Sequence, residues 1–371
     1  MASDSFDFTA ALAKALADPQ IGGNFKSALG GLRAKRLNLF NDPVELERLR
    51  ATGRAIKARV LSRLPQLLEQ LEANCEKNGI RVHWAETTEQ ANRAVLDILK
   101  ARGATTVVKG KSMVSEEMGL NHFLERHGVT PVETDLGEFI IQLAHEPPSH
   151  ITAPAVHKNR QQVGEIFRRH IPDAPHTENV EELNAIARRT LREKFRTADA
   201  GLSGVNFAIA ETGTLVLVEN EGNGRMCTHV PPVHIAVMGL EKLVEKLEDL
   251  PPLMRLLTGS ATGQLLSTYV NCITSPRPAG HRDGPQEVHL VILDNGRSNM
   301  FADPELSAAL RCLRCGACLN NCPVYCRVGG HAYGSVYPGP IGSVITPQME
   351  GLKAKGDLAG ASSLCGACDE V

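Results

Sequence analysis

Seven of the ten cysteines in this chain fall in its last 60 residues, and four of them read Cys312-x-x-Cys315-x-x-Cys318-x-x-x-Cys322-Pro323. This run has the spacing of a bacterial ferredoxin site, in which thiolates hold the irons of a cluster and two intervening residues let a short loop wrap one face of the cube. Gly316 and the small Ala317 allow the backbone to approach the inorganic sulfurs. Pro323 turns the chain away after the fourth thiolate. A second, shorter pattern, Cys365-x-x-Cys368, lies just before the final Val371.

In two-cluster ferredoxins the fourth cysteine of a run serves the other cluster. Cys312, Cys315 and Cys318 are therefore assigned to one cluster, and Cys322, Cys365 and Cys368 to another. With Cys365 and Cys368 as second and third positions of a repeat of the run, the first position is Ser362 and the last would be residue 372. Each cluster is then one thiolate short, and Cys326, four residues after Cys322, is a further candidate ligand. A four-thiolate zinc site is the alternative, since thiolates suit both metals. The uninterrupted C-x2-C-x2-C-x3-C-P spacing favours iron–sulfur over the paired spacing of zinc ribbons. The N-terminus has no apolar secretion-signal core, so a reducing, cytoplasmic setting is expected rather than disulfides.

Lysine and arginine total 40 against 42 aspartates and glutamates, a balance that offers no positive field for nucleic acid. Apolar runs such as Leu215 to Val218 and Leu290 to Leu293 are too short to span a bilayer. At 371 residues the chain has room for two or three domains. Residues 1–75 read as a charged helical segment, with Leu64, Leu67, Leu68, Leu71 and Cys75 at helical spacing before Asn78-Gly79. Ile80 to Trp84 reads as a strand, and Thr87-x-x-Gln90 as the capping box of the next helix. Thr105 to Val108 reads as the following strand. This strand–helix–strand unit predicts a parallel α/β sheet. Further strands are expected at 132–134, 206–210, 214–218, 233–237, 268–273 and 288–293, with helices over 158–170 and 180–195. The α/β domain is expected over 76–300 and the cluster module over 301–371.

Several segments of the α/β part carry chemistry, each with a plainer reading beside it. Lys109, Lys111 and Ser112 follow a strand and precede a helix, as an anion site or as a solvated turn with Ser112 as N-cap. Glu133, Asp135 and Glu138 cluster at a strand end, for cation binding or acid–base work, or as helix caps alone. Glu211 sits in a Glu-Thr-Gly-Thr turn, as a nucleophile or ligand or as a hairpin residue. Arg225 lies in a Gly-Asn-Gly-Arg loop able to meet a carboxylate or phosphate. His145, His150 and His157 are close in sequence, but Pro147-Pro148 breaks any helical register between them. Cys75, Cys227 and Cys272 are expected to be ordinary buried thiols.

Taken together, the segments GKSMVSEEMGLNHFLE (110–125), ETDLGEFIIQLAHEPPSHITAPAVHK (133–158), NFAIAETGTLVLVENEGNGRM (206–226), EVHLVILDNGRSNM (287–300) and CLRCGACLNNCPVYCRVGGHAYGSVYPGPIG (312–342) resemble the lactate utilization protein B family, iron–sulfur proteins of the bacterial three-component L-lactate oxidation system. The resemblance implies a parallel-rich α/β domain, the LUD domain, like those of CoA transferases and ribose-phosphate isomerases. It places helices before that domain and a helical ferredoxin-like 4Fe–4S module after it. Family members continue past residue 371, so the module is expected to be truncated here, with two [4Fe–4S] clusters in the full-length protein and one or both open to being incomplete in this chain. It further implies an electron-transfer subunit, non-catalytic or co-catalytic, in a complex that oxidises L-lactate to pyruvate. The partners implied are a second cysteine-rich iron–sulfur subunit and a second LUD-domain subunit. A rival reading makes the chain an oxidoreductase in its own right. There, Lys111 or Arg225 would clamp a 2-hydroxy or 2-oxo acid, and Glu211 or Glu133 would take a proton. A second rival makes the clusters purely structural.

Overall fold

The computed structural model describes residues 7–371; the first six residues of the expected N-terminal segment lie outside the described residues. Four helices open the chain, Phe8–Ala17, Pro19–Leu39, Pro43–Ser62 and Leu64–Lys77. Asp7, Asp18 and Asp42 cap the first three through their side-chain oxygens, and Pro19 and Pro43 stand at the first helical position, where no amide is needed. The fourth buries Leu64, Leu67, Leu68, Leu71 and Cys75, the stripe its spacing predicted. Among the described residues no helix is long and apolar enough to cross a membrane.

The strands are β1 (Ile80–Ala85), β2 (Thr106–Lys109), β3 (Thr130–Glu133), β4 (Ala200–Gly204), β5 (Phe207–Ile209), β6 (Thr214–Glu219), β7 (Val233–Gly239), β8 (Leu243–Val244), β9 (Tyr269–Ile273) and β10 (Glu287–Leu293). Six form one wholly parallel sheet in the order β1-β10-β7-β4-β2-β3. Its inner strands are covered on both faces, and all seven residues of β7 are buried. Each buried Val or Ile there contributes roughly 1.5–3 kcal/mol. The fold class is therefore the α/β architecture the sequence predicted. A smaller sheet, β8-β5-β6-β9, contains the β5–β6 hairpin and lies next in the chain after β4.

One central strand escaped the sequence reading. β4 reads Ala-Gly-Leu-Ser-Gly, a composition typical of a loop, yet it pairs with both β2 and β7. Its small residues are needed because a helix crosses it closely: a Cβ on Gly201 would overlap the Cys227 carbonyl. That helix, Asn223–His229, occupies the segment expected to be a flexible loop. Cys75 and Cys227 are buried as expected, whereas Cys272 is exposed, because β9 is an edge strand.

The C-terminal module packs on two neighbours. Against the helix Pro19–Leu39, the Phe25 and Tyr325 rings meet edge-on with centroids 5.7 Å apart. Against the sheet it is tied by a buried ionic network. Arg297, fully buried, donates to Glu241 Oε2 at 2.5 Å and to Glu117 Oε2 at 2.8 Å. The Tyr337 hydroxyl donates to the same Glu117 oxygen at 2.8 Å, and Arg314 reaches Glu241 Oε1 at 3.5 Å. Burial alone would raise the Glu241 carboxyl, but Arg297 and Arg314 outweigh it and hold it at about 2.

Candidate functional site

A short 3-10 turn, Ser307–Arg311, delivers the chain to Cys312. Arg314 then adopts a left-handed backbone (φ 61°), as does Gly316 (φ 79°), and this winds Cys312, Cys315 and Cys318 around a common centre. Cys322 caps the helix Pro323–Val328, accepting the Tyr325 amide on Sγ at 3.5 Å, and Cys312 Sγ accepts the Arg314 amide at 3.4 Å. Amides aimed at sulfur are the outer-shell contacts that tune a cluster. Cys312, Cys315 and Cys318 are half-buried, Cys322 is buried, and Cys365 and Cys368 are exposed.

Ligand spacing differs between the two metals. A single tetrahedral zinc would draw its sulfurs to within ~3.8 Å of one another, whereas a cubane, with an iron at each of four corners, holds its thiolates farther apart. Among the described residues no three cysteine sulfurs lie within 4.8 Å of each other. Burial and the neighbouring Cys312 push the Cys315 thiol up to about 11, and burial pushes Cys318 up to about 12, so these sulfurs need a bound metal beside them to ionise at neutral pH. Lys57, Lys242 and Arg314 all sense the charge of Cys312, and Arg36 that of Cys315. Positive charge so placed favours the reduced, more negative cluster.

The carboxyl ends of β2, β4 and β7 open onto a cavity of about 290 Å³. This is where ligands enter open α/β sheets. Lys111, Ser112 and Asp135 line it from the sheet, Lys242 from beyond β7, and Leu313, Arg314 and Cys315 from the cysteine loop. The same three loop residues also line the cavity that holds Cys312, Cys318 and Cys368. Two cations here lack full partnering. Arg314 Nε and Nη1 and Lys111 Nζ are buried without a hydrogen bond. Lys111 lies 3.9 Å from Glu138, beyond hydrogen-bond reach.

The other sequence candidates are distributed differently. Lys109, only 1% exposed, points away from the cavity and donates to Ser115 Oγ (2.7 Å) and Glu116 Oε1 (2.9 Å), with Glu133 Oε1 at 2.7 Å. These carboxylates outweigh burial and hold its ammonium above the usual lysine range. Glu116, Glu133 and Glu138 offer oxygens within 4.8 Å of one another, spaced as for a cation, with the Lys109 ammonium against two of them. Burial pushes Glu138 up to about 8 against the pull of Lys111, and Glu133 upward as well. Asp135 caps the helix Leu136–Ala144, and Ser112 caps Met113–Glu117. Glu211 sits on the β5–β6 turn, exposed, and accepts the Leu247 amide at 3.0 Å. Arg225 is exposed, its amide bonded to Glu219 at 2.6 Å. Neither residue lines the cavity. His150 bonds Asn320 of the cluster module at 3.0 Å, and His157 bonds Ser149 and Glu146. Sequence reasoning missed Arg314 and Lys242. The only signal for Arg314 was its place inside the cysteine loop.

Comparison with known proteins supplies two family matches: a LUD domain over residues 68–293 and a 4Fe-4S dicluster domain over 308–371. The chain is 47% identical over 350 residues to lactate utilization protein B of Bacillus licheniformis, covering 94% of this chain and 73% of that protein. The Bacillus subtilis protein of the same name is 46% identical, with the same two coverages. An uncharacterized electron transport protein of Escherichia coli, YkgF, is 44% identical over 369 residues, covering 98% of this chain and 76% of its own length. Among solved structures, a DUF162 family protein from Deinococcus radiodurans aligns with a TM-score of 0.36 at 14% identity, over 62% of this chain and 98% of its own.

Proposed function

Because the chain belongs to the lactate utilization protein B family, with a LUD domain followed by a 4Fe-4S dicluster domain, we propose that it is an iron–sulfur electron-transfer component of a multi-subunit system oxidising L-lactate to pyruvate. Two [4Fe–4S] clusters are proposed, one on Cys312, Cys315 and Cys318 and one on Cys322, Cys365 and Cys368. Bound clusters accept and pass on one electron at a time. The chain's own residues bind them, aim amides at Cys312 and Cys322, and set cations beside Cys312 and Cys315. The partners proposed are a second cysteine-rich iron–sulfur subunit and a second LUD-domain subunit.

The observation that carries this reading is the shared wall. Leu313, Arg314 and Cys315 separate the strand-end cavity from the cluster cavity by the thickness of one loop. A redox-active group seated in the strand-end cavity would thus lie beside a cluster ligand. A second reading, in which the LUD domain holds the 2-hydroxy or 2-oxo acid itself, is favoured by the unpartnered nitrogens of Arg314 and Lys111 in the same cavity.

The test is anaerobic reconstitution of the whole chain, with iron and sulfide analysis and EPR before and after dithionite. A cluster that is reduced and reoxidised reversibly is expected. Zinc in place of iron, or iron that cannot be reduced, would defeat the electron-transfer reading. Calorimetry of the same protein with L-lactate and pyruvate addresses the second reading, which fails if millimolar ligand gives no heat.

A further inference from the structure

The two cysteine loops are wound the same way, although only one begins with a cysteine. The first follows a 3-10 turn, Ser307–Arg311; the second follows a 3-10 turn, Gly356–Ala361, into Ser362. In the first, Arg314 and Gly316 take left-handed backbone at φ 61° and 79°; in the second, Leu364 and Gly366 do so at φ 56° and 75°. In the first, the Arg314 amide donates to Cys312 Sγ at 3.4 Å; in the second, the Leu364 amide donates to Ser362 Oγ at 3.2 Å. Residue for residue, Ser362 stands where Cys312 stands, Cys365 where Cys315 stands and Cys368 where Cys318 stands.

Left-handed backbone at a leucine costs about 1–2 kcal/mol. Packing of the side chain does not repay it, since Leu364 is 91% exposed. The winding is instead what a loop needs when the donors on its inner side must converge. Cys322 feels the charges of both Cys365 and Cys368, which sets these three thiols near one another, while Cys318 feels that of Cys368 as well. The competing thiol is turned elsewhere. Cys326 Sγ points at the carbonyls of Asn320 (3.4 Å) and Leu319 (3.8 Å), and the charges it senses are those of Cys322 and Arg33.

We infer that Ser362 Oγ is the fourth ligand of the cluster held by Cys322, Cys365 and Cys368, an oxygen donor at a position where the first loop has a thiolate. The inference rests on the iron–sulfur reading above. As the O–Fe bond forms, the hydroxyl proton leaves to solvent, with no change in oxidation state. Oxygen is a harder donor than sulfur and favours the ferric state, so this cluster has a lower reduction potential than an all-thiolate site would give it.

The test compares the reconstituted whole chain with Ser362→Ala, Ser362→Cys and Cys326→Ser, by iron and sulfide content, Mössbauer and EPR spectra and a redox titration. Ser362→Ala is expected to lose one iron per chain relative to the parent and to show, when oxidised, a stronger three-iron EPR signal than the parent, whose other cluster has only the thiolates of Cys312, Cys315 and Cys318. Ser362→Cys is expected to keep the parent's iron and to titrate at a higher potential. Cys326→Ser is expected to change nothing. Parent-like iron, spectra and potential in Ser362→Ala would overturn the inference, as would the loss of iron in Cys326→Ser. Absence of iron from every form would instead defeat the iron–sulfur reading itself, so the two failures are distinguishable.

Discussion

Lys109 and Lys111 stand two residues apart at the end of one strand, and the protein uses them in opposite ways. Lys109 is turned into the packing between sheet and helix, where Ser115, Glu116 and Glu133 surround its ammonium. Lys111 is turned into the strand-end cavity, where its ammonium has no hydrogen bond and where Arg314, though held by Glu241, also brings two nitrogens without one. A buried cation with its partners in place is part of the scaffold. A buried cation without them has been left available, because desolvation is costly unless something anionic compensates it. The difference teaches that partnering, rather than charge or burial, separates structural residues from site residues in this fold.

The sharpest way to break that comparison is Lys109→Met. It leaves Glu116, Glu133 and Glu138 crowded together without their ammonium, the situation in which losing one partner of a buried pair costs roughly 3–5 kcal/mol. Urea denaturation of the variant should show a loss of that size. A loss below about 1 kcal/mol would mean that Lys109 is as dispensable as an exposed lysine.

Glu138 supplies the next test, through pH. Its folded pKa of about 8 lies above the ordinary carboxylate value, with burial as the main cause. The folded state therefore holds this proton more tightly than the unfolded chain does. Stability from this group is fully present below the unfolded value near 4.5 and is lost as pH rises through about 8. Glu138→Gln removes that loss. The variant should gain on the parent by on the order of 1–3 kcal/mol between pH 5 and pH 8.5, measured by urea denaturation at each pH. A stability difference that stays flat with pH would place the titration elsewhere.

Much of this was legible in the chain. The cysteine run announces its cofactor because cluster ligation demands fixed short spacings. The strands β7 and β10 announce themselves as apolar runs because the interior of a parallel sheet is buried on both faces. β4 did not, since Gly201 answers to the close crossing of the helix Asn223–His229 and Gly204 to Ser112 beside it. The cavity was legible only in halves. Gly110 to Ser112 could be read as a strand-end turn, but nothing local says that Arg314, some 200 residues later, completes the same wall. Nor does the motif say which lysine of Lys-Gly-Lys faces inward, because that depends on which side of the strand end the carboxylates arrive.

The smallest effect expected on the fold comes from Lys111→Met, and it bears most directly on what the cavity is for. Lys111 has only the loose contact to Glu138, so its removal should change global stability by no more than about 0.5 kcal/mol. If the cavity takes a small carboxylate, the lost ammonium should weaken that binding at least tenfold, about 1.4 kcal/mol, when pyruvate or L-lactate is titrated into the whole chain. Arg314→Lys should weaken it too, because an ammonium cannot replace the planar fork that meets both carboxylate oxygens. Unchanged affinity in both variants would mean that Lys111 and Arg314 do not hold a carboxylate in this cavity. Weakened affinity at unchanged stability would identify Lys111 as a site residue and leave Lys109, two positions away, in the scaffold.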